Sequence, residues 1–294
     1  MSCPLYFQWG ISSLFGWGVS GLNLLYLWPK ISGAPAYGGS QIHLESFGGM
    51  DPLRLRALAP LLVESDRMRQ QMEAGGNASK FDGIVIHSMG NRYSGSAAPG
   101  MEYLTGRLTT AKMVFEDTIL PDAAAACARF PIIVTCSSWN EQVLRANGVT
   151  NVVTTFEGMD PSLFHPAPRW GGLSNRFTVF SAGKLEYRKA QDLVLLAFRA
   201  FAARHPEAML VTAWNSPFEG AASSLGRNPK IAPMIVDANG KANFAAWVVA
   251  NGIREDQFID VGSVPNHFMA RIYREMDVAL LPNRCEGGTN MMAM

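Results

Sequence analysis

Apolar residues recur along the chain in two alternating periods. Compact runs rich in strand-forming side chains occupy Pro4 to Trp9, Gln41 to Phe47, Phe81 to His87, Met113 to Phe115, Ile132 to Cys136 and Val152 to Thr155. The same pattern returns at Phe177 to Ser181, Ala208 to Ala213, Phe258 to Val261 and Asp277 to Leu281. Between these runs the spacing is helical: Leu22 to Trp28, Leu53 to Met72 with a break at Pro60, Asn140 to Ala146 capped by Ser137 or Ser138, Asn243 to Asn251, and His267 to Arg274. Alternation of strands and helices predicts an α/β protein with two parallel-sheet domains. The passage Pro166 to Asn175, rich in Pro, Gly and Trp, reads as a linker. The domains are then 1–166 and 176–294, with 167–175 between them.

The second domain opens on the most informative stretch, Phe177 to His205. A strand ends at Ala182-Gly183, and a helix with Leu193, Leu196, Ala197, Ala200 and Phe201 on one face follows. Lys184, Arg188 and Lys189 lie between. A loop feeding a helix N-terminus offers free backbone N–H groups and the positive end of a dipole, so these cations suit a phosphate. Taken alone they are equally well read as solvated loop residues. The first domain opens on the same plan, with Gly16, Gly18 and Gly21 forming G-x-G-x-x-G between strand and helix. That motif serves nicotinamide enzymes, sugar-nucleotide enzymes and plain tight packing alike. A nicotinamide site needs an acid about 20 residues on for the ribose. None stands between Gly21 and His43, which weakens the oxidoreductase reading.

His87 closes the run DGIVIH, where a parallel strand presents its last side chain to a crevice; a lone histidine there is either a structural hydrogen-bonder or a site group. Glu116 and Asp117 follow a short strand and are read as capping the next segment in preference to meeting a hydroxylated substrate. In open parallel sheets ligands bind beyond the carboxyl ends of the strands, so the candidates are expected to converge on one interdomain cleft.

Composition narrows the classes. With 294 residues the chain has room for two domains, and 25 basic against 24 acidic residues imply neither nucleic acid nor an anionic membrane as partner. Cys3, Cys127, Cys136 and Cys285 lack CxxC spacing, and the five histidines show no HExxH, which points to a reducing cytoplasm and no structural zinc. Residues 1–29 carry no charge, yet Gly, Ser, Gln and Asn interrupt them too often for a lipid-facing helix, and there is no basic n-region.

Three segments in order, SSWNEQVLRANGVTNVVTTFEGMDPSLFHP (137–166), AGKLEYRKAQDLVLLAF (182–198) and IYREMDVALLPNRCEGGTNMMAM (272–294), resemble the retaining GT-B glycosyltransferases of glycosyltransferase family 4. The resemblance implies two Rossmann-like domains facing across a cleft. It implies transfer of a sugar, typically a hexose, from a UDP- or GDP-sugar to a hydroxyl acceptor such as a glycan or glycolipid, without cofactor or metal. Nucleic acid is not an implied partner; the location is cytoplasmic, with peripheral contact at the inner membrane face compatible. By the same resemblance Gly16 and Gly18 approach the donor phosphates, Lys184 and Lys189 bind the diphosphate, His87 lines the site, Glu286 meets the sugar hydroxyls, and Gly288, Thr289 and Asn290 belong to the loop holding sugar and phosphate. Ala190 stands where the family commonly has glycine.

A second glutamate is expected eight or nine residues after Glu286, where the sequence reaches Met294. The second domain is therefore expected to be incomplete, and the chain as given inactive and poorly soluble. Alternatives are a sugar-nucleotide-binding protein without catalysis and, less favoured, the nicotinamide oxidoreductase.

Overall fold

The computed structural model describes residues 2–76, 79–93, 103–215, 221–236 and 242–288. The chain forms two compact units, one built mainly from Met1–Gly158 and the other mainly from Met159–Val264 and Phe268–Glu286.

In the first unit the elements run β1 (Leu5–Phe7), α1 (Gly16–Ser32), β2 (Ala36–Gly38), α2 (Pro52–Gly75), β3 (Lys80–Met89), β4 (Thr105–Met113), α3 (Ala123–Ala128), β5 (Ile133–Thr135), α4 (Ser138–Ala146) and β6 (Val152–Thr154). The strands form one parallel sheet in the order β2-β1-β3-β4-β5-β6, with Leu5 opposite both Ala36 and Ile84. Successive side chains of β1 go to opposite faces: Leu5 and Phe7 pack with Leu25 of α1 and Leu58 and Leu62 of α2, whereas Tyr6 packs with Phe81 and Val85. Because both faces are covered, the strands read as unbroken apolar runs.

Several expectations change here. The glycine motif is not a loop but the start of α1, which begins at Gly16. Gln41 to Phe47 is not a strand; Leu44–Phe47 makes a single 3₁₀ turn. Pro60 does not break α2, which continues through it and keeps Leu58 and Leu62 in the core on either side. Asp51 caps that helix, its carboxylate accepting from the N–H groups of Leu53 and Arg54 at 2.9 and 3.1 Å. Ser137 caps α4 as expected, accepting from Asn140 N at 3.2 Å.

The second unit contains β7 (Phe177–Lys184), α5 (Gln191–Ala202), β8 (Ala208–Asn215), α6 (Phe244–Ala250), β9 (Phe258–Asp260), α7 (Asn266–Glu275) and β10 (Val278–Ala279). Its sheet, also parallel, has the order β10-β7-β8-β9. The expected linker lies inside this unit. Arg169 pairs with Asp277 at 2.8 Å, Glu275 accepts from Trp170 and Gly171 backbone N–H groups, and Leu173 packs on the cluster around Phe180 and Met209.

The buried stripe of α5 is Val194, Leu195 and Phe198, one position round from the face expected from Leu193 and Ala197. Ala197 and Phe201 instead line an apolar groove of about 260 Å³ with Phe177, Val278 and Leu280. Among the described residues, no helix is long and apolar enough to cross a membrane.

Candidate functional site

From β7 the second sheet grows outward through β8 to β9, and the chain then returns across β7 to lay down β10 on its other side. The switch point is at the carboxyl ends of β7 and β10, where ligands of open parallel sheets bind. Strand β7 does not stop at Ala182-Gly183 but pairs with β8 as far as Lys184 opposite Asn215. Gly183 permits this by taking φ +118°, a conformation side chains rarely adopt.

A 3₁₀ turn, Tyr187–Lys189, follows, and Ala190 enters α5 in the left-handed conformation at φ +61° despite its Cβ. The turn therefore keeps the geometry that glycine serves more easily. Gln191 closes it, its side-chain amide donating to Lys184 O at 2.7 Å.

This turn and the segment after β10 bring together two of the sequence-predicted residues. Lys189, 7% exposed, is ion-paired with Glu286. Arg188 reaches the same carboxylate oxygen at 3.4 Å and Glu186 at 2.7 Å. Asn283 also lies 3.5 Å from that oxygen. Burial draws the Lys189 ammonium below the usual lysine range, and Glu286 opposes that shift. Lys184 ends β7 at the mouth of the same turn. The result is a seat of cationic side chains already occupied by carboxylate oxygens, in which phosphate oxygens find the same donors.

Gly288 takes φ +140°, again in glycine's range. Thr289 and Asn290 lie outside the described residues.

In the first unit the switch point falls between β1 and β3. Gly16 is the first residue of α1, and Phe15 at its N-cap makes no side-chain cap hydrogen bond. Gly18 is required by packing: a Cβ there would stand 2.5 Å from Ser12 Cβ and 2.8 Å from Ser12 N.

His87 sits two positions inside β3, which runs on to Met89. It is 6% exposed, its Nε2–H donates to Leu104 O at 2.9 Å, and its ring is 5.3 Å from Phe130. Burial lowers its pKa below the usual histidine value. Of the two readings open in the sequence, this is the structural hydrogen-bonder. Glu116 does not cap α3, whose N-cap is Asp122; it exchanges hydrogen bonds with Asn91 at 2.7 and 3.0 Å.

Two polar groupings escaped the sequence reading. Lys112 of β4 is ion-paired with Glu157, donates to Ser20 Oγ at 3.0 Å, and stands 5.0 Å from the Trp17 ring centroid. Burial pushes the neighbouring Cys136 thiol up to about 11. Arg284 forks onto Asp192 at 2.8 and 2.6 Å. Neither pair is close in sequence, so no local spacing announces it. An open cavity of about 520 Å³ beside β9 is lined by Asn243, Phe244, Glu255, Phe258 and Asp260; its carboxylates make it a poor host for a phosphate. Among the described residues, no group of three or more His, Cys, Asp or Glu is arranged to hold a metal ion.

No family profile matches the sequence, and no curated protein matches it. Solved structures do. Sucrose-phosphate synthase from Thermosynechococcus elongatus superposes with TM-score 0.60 at 12% identity, over 98% of this chain and 77% of that one. The fold is GT-B. An α,α-trehalose-phosphate synthase (UDP-forming) from Burkholderia vietnamiensis gives 0.57 at 11% identity, over 98% and 78%. Anabaena HepE in complex with UDP gives 0.51 at 12%, over 96% and 74%. Identities this low establish the GT-B architecture and leave the chemistry to the residues.

Proposed function

We propose that the protein is a retaining glycosyltransferase of the family 4 type, moving a hexose from a UDP- or GDP-sugar to a hydroxyl acceptor on a glycan or glycolipid in the cytoplasm. The observation that carries this reading is the Lys189–Arg188–Glu286 constellation at the β7/β10 switch point of a GT-B fold. The neighbours include HepE bound to UDP and a UDP-forming trehalose-phosphate synthase, in keeping with a nucleotide donor.

In this reading Lys184, Arg188 and Lys189 hold the diphosphate. The bond between the anomeric carbon and the β-phosphate oxygen breaks, and its electron pair stays on the phosphate. Fixed cations stabilise that charge without reorganising. The acceptor oxygen bonds to the anomeric carbon on the face the phosphate leaves, and its proton passes to a phosphate oxygen. Glu286 orients the sugar hydroxyls. His87 is outside the reacting set because its Nε2 is committed to Leu104. The cations meet the donor's charge, so no metal enters the scheme.

Incubation with UDP- and GDP-hexoses and a panel of hydroxyl acceptors tests the reading by product detection. A glycosylated product with the donor's anomeric configuration supports it. Saturable nucleotide binding without any product, in a protein that also carries the glutamate expected after Glu286, would identify a binding protein instead.

A further inference from the structure

Glu286 sits in an irregular segment after β10, and a carboxylate that must meet particular hydroxyls needs that segment held still. Two residues earlier stands Arg284, a residue that no catalytic reading uses. Its guanidinium forks onto both oxygens of Asp192 at 2.8 and 2.6 Å. It donates as well to Tyr187 O at 2.6 Å, and lies 3.9 Å from the Tyr187 ring centroid. Its backbone N–H donates to Arg188 O at 2.8 Å.

Asp192, in the first turn of α5, has no exposed side-chain surface, and Asn228 donates to its second oxygen at 2.6 Å. Burial works against its charged form, yet the bonds from Arg284 and Asn228 outweigh it and hold the carboxyl below its usual range. One side chain thus ties the Glu286 segment to the buried start of α5 and to the turn that carries Arg188 and Lys189.

We propose that Arg284 is a positioning residue that fixes the Glu286 carboxylate for sugar transfer by locking its segment onto Asp192. This rests on the reading that Glu286 meets the transferred sugar. A planar fork makes the lock; lysine keeps the charge but can neither bridge both carboxylate oxygens nor lie flat on the Tyr187 ring.

Cys285, partly exposed and adjacent to both Arg284 and Glu286, reports on the segment without any turnover. Cys3, also partly exposed, serves as the internal reference, and buried Cys127 reports global opening. In Arg284→Gln, alkylation of Cys285 by iodoacetamide should accelerate at least about tenfold relative to Cys3, with Cys127 still protected. In the same variant kcat for sugar transfer should fall about 10- to 100-fold, by more than the affinity for UDP or GDP falls.

Asp192→Asn should behave alike, the double variant should be no worse than either single, and Arg284→Lys should recover part of both losses. Cys285 reactivity and kcat within about twofold of wild type in Arg284→Gln would overturn the proposal. So would Cys285 and Cys127 opening together in both Arg284→Gln and Arg284→Lys, since that marks a general fold role. Should the wild-type protein transfer no sugar at all, the glycosyltransferase reading fails, and an unchanged Cys285 rate still decides the lock separately.

Discussion

The Glu286 carboxylate rests on the Lys189 ammonium, with Arg188 3.4 Å from the same oxygen. An acid and a base from different chain segments, both expected to serve one donor, therefore neutralise each other. On the proposed reading, the diphosphate oxygens of a donor compete with the Glu286 carboxylate for these cations.

Glu286→Gln removes the competing charge and leaves the cations. Its affinity for UDP or GDP, measured by isothermal titration, is expected to rise roughly three- to tenfold, where tenfold is about 1.4 kcal/mol. Transfer from the sugar nucleotide is expected to fall by about 10²–10³. An affinity that drops alongside turnover would mean the carboxylate assists diphosphate binding.

Gly18→Ala places a methyl 2.5 Å from Ser12 Cβ and 2.8 Å from its backbone nitrogen, atoms that cannot swing aside. Overpacking of this kind costs about 1–3 kcal/mol. Gly10→Ala is the control, because the nearest atom to its new Cβ is 3.8 Å away and its effect is expected to stay within about 0.5 kcal/mol. Urea midpoints of the two variants separate a packing glycine from a tolerant one.

Lys112 and Glu157, with side chains 12% and 25% exposed, form a largely buried pair. Lys112→Met strands Glu157 and is expected to cost about 2–4 kcal/mol, toward the low side of a fully buried pair because water still reaches Glu157. The double variant with Glu157→Gln should be less damaging than the sum of the singles. A double-mutant cycle by urea unfolding reads the coupling directly.

His87 has a folded pKa below its unfolded value of about 6.5 because burial disfavours the imidazolium. The unfolded chain then binds the extra proton first, so stability present above about pH 6.5 is lost as pH falls toward the folded pKa. The melting temperature of the wild type should drop between pH 7.5 and 5.5 by more than that of His87→Gln, which cannot titrate. Equal drops would show that other groups govern the acid side.

Most of the architecture was legible because the strands are buried on both faces. Runs such as DGIVIH and FTVFS carry that burial in their letters. What was missed lacked such letters. Ala36–Gly38 is a three-residue strand inside a Gly- and Pro-rich passage, clipped to α2 by Ser65, whose hydroxyl accepts from Gly38 N at 2.7 Å. The alanine-rich α3 has no polar face to give a period. Start positions misled too: α1 recruits Gly16 to Gly21, and it packs so closely that a Cβ at Gly18 would stand 2.5 Å from Ser12 Cβ and one at Gly21 3.0 Å from Gly10 O.

Within the site, Glu286 was named only through the family resemblance and Lys189 through its place before α5, and neither signal announced that the two side chains pair. His87 was placed one strand end too early, since β3 continues past it to Met89. Arg284 and Asp192 meet only through tertiary structure.

Titration of the wild type and of Lys189→Ala with UDP and with GDP, followed by isothermal calorimetry, goes to the heart of the reading. At least one nucleotide should bind the wild type saturably, and Lys189→Ala should weaken that binding by about 2–3 kcal/mol, or roughly 30- to 150-fold. Binding of neither nucleotide at millimolar concentration, or equal binding by both proteins, would contradict a diphosphate seat on Lys189 and with it the proposed sugar transfer.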